Sequence, residues 1–301
     1  MSKPSYMILY ESGELAGRVE ALAELAGGSC SLCPHDCGAD RSHESTGRCA
    51  SGLEARVSGA FAHFGEEAPL VGRLGSGTIF FCGCNLRCSF CQNWEISQGR
   101  KHGTMLTEDA LAGLMIELQR AGCHNINLVS PTHYIHTIVA SLEIAASWGL
   151  CLPLVYNCGG YESIQVLEIL DGVVDIYMPD TKFFEDSVAA RFVSARDYAT
   201  RAREAVSEMH RQVGVLQTGP EGIARRGLLI RHLVMPGGLA GTRQWMEWIA
   251  RELSPESYVN VMSQYRPCYR AGETPEIDRP VTAEEFSEAL SQATDAGLQR
   301  I

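Results

Sequence analysis

Three cysteines, Cys84, Cys88 and Cys91, stand with three and then two residues between them, directly after the β-type run GTIFFC. A loop of that spacing wraps three thiolates around three corners of one cubane, whereas a fully ligated 4Fe-4S cluster uses four cysteines. Three ligands leave one iron open to bind and activate a small molecule, as an open position separates a catalytic metal from a structural one. The spacing therefore points to a reactive 4Fe-4S cluster, with a zinc site or three buried thiols as the plainer alternatives. Cys82, on the strand itself, reads as a small buried residue rather than a fourth ligand. A second group, Cys30, Cys33, Cys37 and Cys49, opens with Cys-x2-Cys and supplies four thiols. That is enough for a tetrahedral zinc or a second iron–sulfur cluster. His35 and His43 are near enough in sequence to replace one ligand. The spacing matches no standard zinc ribbon or ferredoxin run, so free thiols or a labile disulfide stay open.

The elements that must position these residues show as alternation. Apolar β-type runs occur at 77–82, 125–130, 152–157, 173–178, 227–235 and 258–262, and helical patterns lie between most of them. One such helix spans Glu108 to Arg120 after Thr107 as N-cap, with Leu111, Leu114, Met115 and Leu118 at helical spacing. Another carries Tyr198, Ala202, Ala205, Val206, Met209 and Val213 on its buried stripe and stops before Gly214. Thr282 with Glu285 reads as a capping box. Six strand-then-helix units predict parallel strands with helical crossovers, either as a partial barrel or as an open doubly wound sheet. Residues 1–76 lack a sustained period and read as a small cysteine-rich extension whose core depends on a metal.

With 301 residues, 45% of them hydrophobic, the chain has enough apolar material for a sizeable core. Its formal charge of −11 disfavours nucleic acid and anionic membrane surfaces as partners. No apolar stretch approaches a membrane span and the start lacks the pattern of a signal peptide, so a cytoplasmic location is expected. Twelve cysteines in a reducing compartment point to metal binding or redox chemistry rather than disulfides.

The run from Cys84 to Cys91, with Phe90 before the last cysteine, resembles the CxxxCxΦC loop of the radical S-adenosylmethionine (SAM) superfamily. Gly83 before the loop and Gln92-Asn93 after it resemble the branch of pyruvate formate-lyase activating enzyme and its uncharacterised relatives. So do NLVSPTHY, LVYNCGGY, IYMPDTKF, LIRHLVMPGG and NVMSQYRP at the five following strands. The resemblance covers roughly residues 70 to 270. It implies a partial (β/α)6 TIM-like barrel over 71–301, an α/β fold, with residues 1–70 as the extension. It also implies a 4Fe-4S cluster on Cys84, Cys88 and Cys91, with SAM bound beside Phe90 and Asn93.

Further SAM contacts are expected where βα loops converge, at the C-terminal ends of the strands. Ser130-Pro131-Thr132-His133 replaces the family's Gly-Gly-Glu segment, so oxygens at Ser130 and Thr132 are expected to accept from the methionine ammonium. Asn157 is expected to face the nucleoside, with Gly159-Gly160 allowing close backbone approach. Asp180 and Lys182 align with an Asp-x-Lys pair of the activating enzymes and, two apart, point the same way. Arg231 offers a fork for the SAM carboxylate, and Asn260, Met262 and Gln264 share a face. His232 is expected on the opposite face. The resemblance implies an enzyme that cleaves SAM reductively to a 5′-deoxyadenosyl radical, fed by a low-potential donor such as flavodoxin or ferredoxin. The nearest reading is a glycyl-radical activase acting on a protein. The alternatives are a radical enzyme acting on a small molecule or other peptide, and a non-catalytic iron–sulfur electron carrier.

Overall fold

The computed structural model describes residues 3–42, 47–99 and 103–301; His43 lies outside them. The strands are β1 (Ala55–His63), β2 (Ser76–Phe81), β3 (Thr104–Leu106), β4 (Ile126–Val129), β5 (Leu154–Cys158), β6 (Ile176–Thr181), β7 (Gln217–Thr218), β8 (Ala224–Leu233) and β9 (Tyr258–Met262). The helices are α1 (Ser5–Ser12), α2 (Glu14–Ala26), α3 (Ala68–Val71), α4 (Trp94–Ser97), α5 (Glu108–Arg120), α6 (Ile135–Ser147), α7 (Ile164–Ile169), α8 (Asp186–Phe192), α9 (Tyr198–Val213), α10 (Thr242–Trp248) and α11 (Ala283–Asp295).

Strands β2, β4, β5, β6, β8 and β9 lie side by side in chain order and pair in parallel throughout. No strand order reverses, so the sheet has no switch point of the kind that defines a doubly wound fold. Right-handed crossovers that always advance in one direction put their helices on one face. The other face curves inward as a partial (β/α)6 barrel. Central strands buried on both faces need continuous apolar runs rather than alternation, and β5, LVYNC, is buried at all five positions. Helix α5 starts where Thr107 Oγ1 accepts from the Ala110 amide at 3.3 Å, and it buries Leu111, Met115 and Leu118. Helix α9 buries all six residues of the stripe read from the sequence. At α11 the capping box forms, with Thr282 and Glu285 each accepting from the other's amide.

The first 76 residues depart from the expectation. They hold two helices and a strand that share the main core. Helix α1 buries only Tyr6, so it has no apolar stripe to read from sequence. Tyr6 Oη donates to the Leu152 carbonyl at 3.0 Å, and α2 seats Leu15, Leu22 and Ala26 in the core that also holds α6. Strand β1 pairs antiparallel with β2, and β3 with β1. The division between residues 70 and 71 thus falls between two hydrogen-bonded strands. Among the described residues no helix is long and apolar enough to cross a membrane.

Asp175 fastens the start of the chain to the sheet. It is 3% exposed, and its carboxylate accepts from the Ser5 amide at 2.8 Å and from the Leu154 amide at 2.9 Å. Hydrogen bonds to a charged group are worth about 1.5–3 kcal/mol each, and both donors lose their partner together. Asp175→Ala is therefore expected to destabilise the protein by about 3 kcal/mol in urea unfolding; a loss under about 0.5 kcal/mol, the range of ordinary surface changes, would contradict this anchor.

Candidate active site

The C-terminal ends of the parallel strands close around a cavity of about 230 Å³. Cys84, Cys88, Phe90, Cys91 and Asn93 line it from the loop after β2, Ser130 from β4, Asn157 from β5, Asp180 and Lys182 from β6, and Arg231 from β8. Residues distant in sequence are thus brought to one place. Leu86, Cys158, Met262 and Gln264 complete much of the wall. Cys158 lies in the LVYNCGGY segment but was given no role there; its place in the wall follows from the register of β5. Asn260, expected beside Met262 and Gln264, instead donates to Glu67 Oε1 at 2.9 Å.

A charged network sets the floor. Arg231 Nε donates to Asp180 Oδ1 at 2.8 Å, Arg231 Nη2 to Asn157 Oδ1 at 2.8 Å, and Arg231 Nη1 to Glu66 Oε2 at 3.4 Å. Lys182 Nζ donates to Asp180 Oδ2 at 2.7 Å. Burial pulls the Asp180 carboxyl up, but Arg231 and Lys182 together hold it below the usual range. Burial works against the charge on Lys182, and Asp180 more than offsets it. Arg231 was expected to offer its fork to a ligand carboxylate. The structure gives that fork to Asp180, Asn157 and Glu66: Nη2 stands 2.8 Å from both Asp180 Oδ1 and Asn157 Oδ1, which leaves one N–H, on Nη1.

The thiols themselves are desolvated. Burial pushes Cys84 up to about 12 and raises Cys88 further, while Lys182 opposes the rise at Cys88. The Leu86 amide donates to the Cys84 sulfur at 3.4 Å, and the Cys91 sulfur lies 3.2 Å from Ser97 Oγ. Desolvated thiols beside an ammonium group suit a metal centre, which displaces the protons and brings the negative charge that Lys182 faces. Among the described residues no three His, Cys, Asp or Glu side chains converge on a single-ion point. A cubane seats each thiolate on a separate iron and needs no such convergence. Cys82 is buried and absent from the cavity wall.

Other positions land elsewhere. Thr132, expected to face the ammonium, is 1% exposed and donates to Glu162 Oε1 at 2.9 Å, off the cavity. Ser130 does reach the cavity, from a left-handed backbone with φ of 58°. Gly159 lines the wall, but Gly160 serves packing: a Cβ there would stand 2.5 Å from the Asp180 carbonyl oxygen. Tyr198 Oη ties the same corner by donating to the Gly159 and Asp180 carbonyls. His232 packs on the far face with Nδ1 against the Thr181 carbonyl and Nε2 against Thr242 Oγ1, each at 2.9 Å.

Glu162 carried no sequence signal. It is 1% exposed and accepts from Thr132 Oγ1 and, at 2.8 Å, from Tyr156 Oη. Burial raises its carboxyl to about 7 despite those donors.

Residues 78–215 match the Radical SAM superfamily. The uncharacterized protein MJ0674 of Methanocaldococcus jannaschii is 34% identical over 282 residues, covering 91% of this chain and 76% of that protein. Among solved structures, TYW1 with a lysine-pyruvate adduct bound is similar at TM-score 0.47 and 9% identity, over 72% of this chain and 73% of that one. HydG, a maturase of the FeFe-hydrogenase, is similar at TM-score 0.46 and 13% identity, over 72% of this chain and 48% of that one.

The raised carboxyl of Glu162 has a measurable consequence. Because its folded-state pKa lies above 4.5, the fold prefers the protonated form, and stability falls as pH rises from 4.5 through about 7. A shift of that size corresponds to roughly 3 kcal/mol. Glu162→Gln is expected to gain stability relative to the wild type across this window and to match it more closely near pH 4.5; a difference that stays flat with pH in urea titrations would refute the assignment.

Proposed function

The chain belongs to the radical SAM superfamily, whose members are enzymes, and from that premise we propose that the cavity over Cys84, Cys88 and Cys91 is its SAM-cleaving site. The observation that carries this reading is the gathering of the three thiols, Asn157, Asp180, Lys182 and Arg231 around one cavity at the barrel mouth. When bound, the 4Fe-4S cluster and SAM supply a one-electron cleavage of the sulfonium that yields a 5′-deoxyadenosyl radical able to abstract hydrogen. Cys84, Cys88 and Cys91 would hold three irons and leave the fourth to the methionine part of SAM. The Ser130 hydroxyl and Asp180 would orient its ammonium, and the remaining N–H of Arg231 Nη1 would meet its carboxylate. Phe90, packed edge-on to Phe183 and Tyr265, fixes the loop's path, and Asn93 and Asn157 supply polar contacts on either side. Such enzymes commonly draw the electron from reduced flavodoxin or ferredoxin.

The substrate we assign is a polypeptide, in keeping with an activase-like role. One residue beyond Asn93, Trp94 stacks on Tyr269 with ring centroids 5.4 Å apart, and the two are 40% and 44% exposed. An exposed aromatic pair beside a reactive cavity suits an extended chain better than a small molecule enclosed within it. A pure electron carrier would need neither the polar cavity nor the platform.

Two tests follow. Anaerobically reconstituted, reduced protein is expected to form 5′-deoxyadenosine from SAM; Cys84→Ala, Cys88→Ala and Cys91→Ala abolish this and Cys82→Ala retains it, so full iron content with turnover in Cys88→Ala would overturn the site. For the substrate class, deuterium from deuterated host polypeptides should appear in 5′-deoxyadenosine. Transfer from the small-molecule fraction alone would move the reading to the small-molecule alternative.

A further inference from the structure

Arg41 is 2% exposed and, among the described residues, no carboxylate pairs with it. Its Nε donates to the Ser51 carbonyl at 3.2 Å, its Nη2 donates to the Gly52 carbonyl, and its Nη1 reaches the Cys30 sulfur at 3.9 Å. The guanidinium stands 6.0 Å from the centre of the Tyr134 ring. A guanidinium keeps its charge at any working pH, so burying one away from acids is costly unless another anion lies close. The nearby His133 and His136 cannot supply one, since imidazole is neutral or cationic. Among the described residues the remaining candidates are sulfurs, the Cys30 sulfur first.

Four of them belong to this region. Cys30 is buried, and Cys33 and Cys49 are partly buried. Electrostatic coupling links Cys33 to both Cys30 and Cys49 and links Cys49 to Arg41. Cys37 is exposed, but its sulfur lies 3.1 Å from where a Cβ of Gly47 would stand, two residues before Cys49. The two limbs of the loop therefore meet near the same place. As free thiols these side chains carry no charge to balance Arg41. As thiolates on a metal they would, because binding a metal releases the thiol protons.

We propose that Cys30, Cys33, Cys37 and Cys49 hold a second metal centre of four thiolates, with Arg41 as its buried counter-charge. The centre sits against the loop of the first. His35 Nε2 is 2.8 Å from the Asn85 carbonyl, next to Cys84, and the His35 ring packs at 4.9 Å from that of Tyr161. A Cβ on Gly83 would stand 2.8 Å from the Cys49 carbonyl oxygen and 2.6 Å from Ser51 Oγ. Because no three His, Cys, Asp or Glu side chains converge on a single-ion point among the described residues, the centre is an iron–sulfur cubane, with each thiolate on its own iron, rather than one zinc.

The experiment is made on the full chain without the first centre, so that it does not depend on the SAM-cleaving reading. With Cys84, Cys88 and Cys91 all replaced by Ala, the protein reconstituted anaerobically with iron and sulfide is expected to keep about four irons per chain. Adding Cys30→Ala and Cys33→Ala should remove that metal. The same loss, read as a difference in the wild-type background, keeps the test decisive if the triple variant does not fold. Arg41→Gln should weaken retention against a chelator by about 10- to 100-fold, the usual effect of a group that supports metal ligands, while Arg41→Lys keeps most of it. Absence of iron from the triple variant and no loss on Cys30→Ala with Cys33→Ala would overturn the centre. Unchanged retention in Arg41→Gln would overturn the counter-charge.

Discussion

At the ends of β5, β6 and β8 one carboxylate, Asp180, sits between two cations, Arg231 and Lys182, in a mouth where each of the three side chains keeps no more than 20% of its exposure. Charges so placed tolerate one another only in the full set, because removing a single member strands the others in a poor solvent. The register of the sheet supplies that set: Asp180 pairs directly with Arg231 across the ladder, and Arg231 with Asn260. A slip of one residue in either strand would turn the charges to the helical face. The barrel's parallel pairing is thereby bound to its chemistry. The apolar strands fix where the charges stand, and the charges penalise any other alignment.

The same mouth shows why glycine and tyrosine recur at its corners. Tyr198 bridges two strand ends through the Gly159 and Asp180 carbonyls, and Gly160 leaves room for the Asp180 carbonyl beside it. Neither residue touches the cavity wall, yet both set the height at which Asp180 and Lys182 stand. Placing reactive groups within a fraction of an ångström requires such support from rigid neighbours.

Much of this was legible in the sequence. The six strands and the α5, α9 and α11 helices follow from periodicity and caps, and Cys84, Cys88 and Cys91 announce themselves by spacing. What periodicity missed was local in cause. Helix α1 buries a single tyrosine, so it has no stripe, and β1 is interrupted by a register shift between Val57 and Gly59. At the site, Thr132 and Arg231 were placed by type and position, but a hydroxyl or guanidinium goes to whichever partner the fold brings near. For Thr132 that was Glu162, thirty residues on, and for Arg231 it was Asp180 and Asn157. Glu162 and Arg41 stood in no motif, and only burial reveals them.

Gly83 carries a consequence for the order in which the protein is made. The turn at Cys49 to Ser51 leaves the ribosome first, but the surface it presses against arrives only with Gly83, and the His133 ring on the same spot comes fifty residues later. The amino-terminal loop therefore waits for its support. Until β4 and the start of α6 have been synthesised, neither loop has its neighbour to hold its shape, so any metal delivered to these cysteines meets its final cradle only after roughly the first half of the chain has docked.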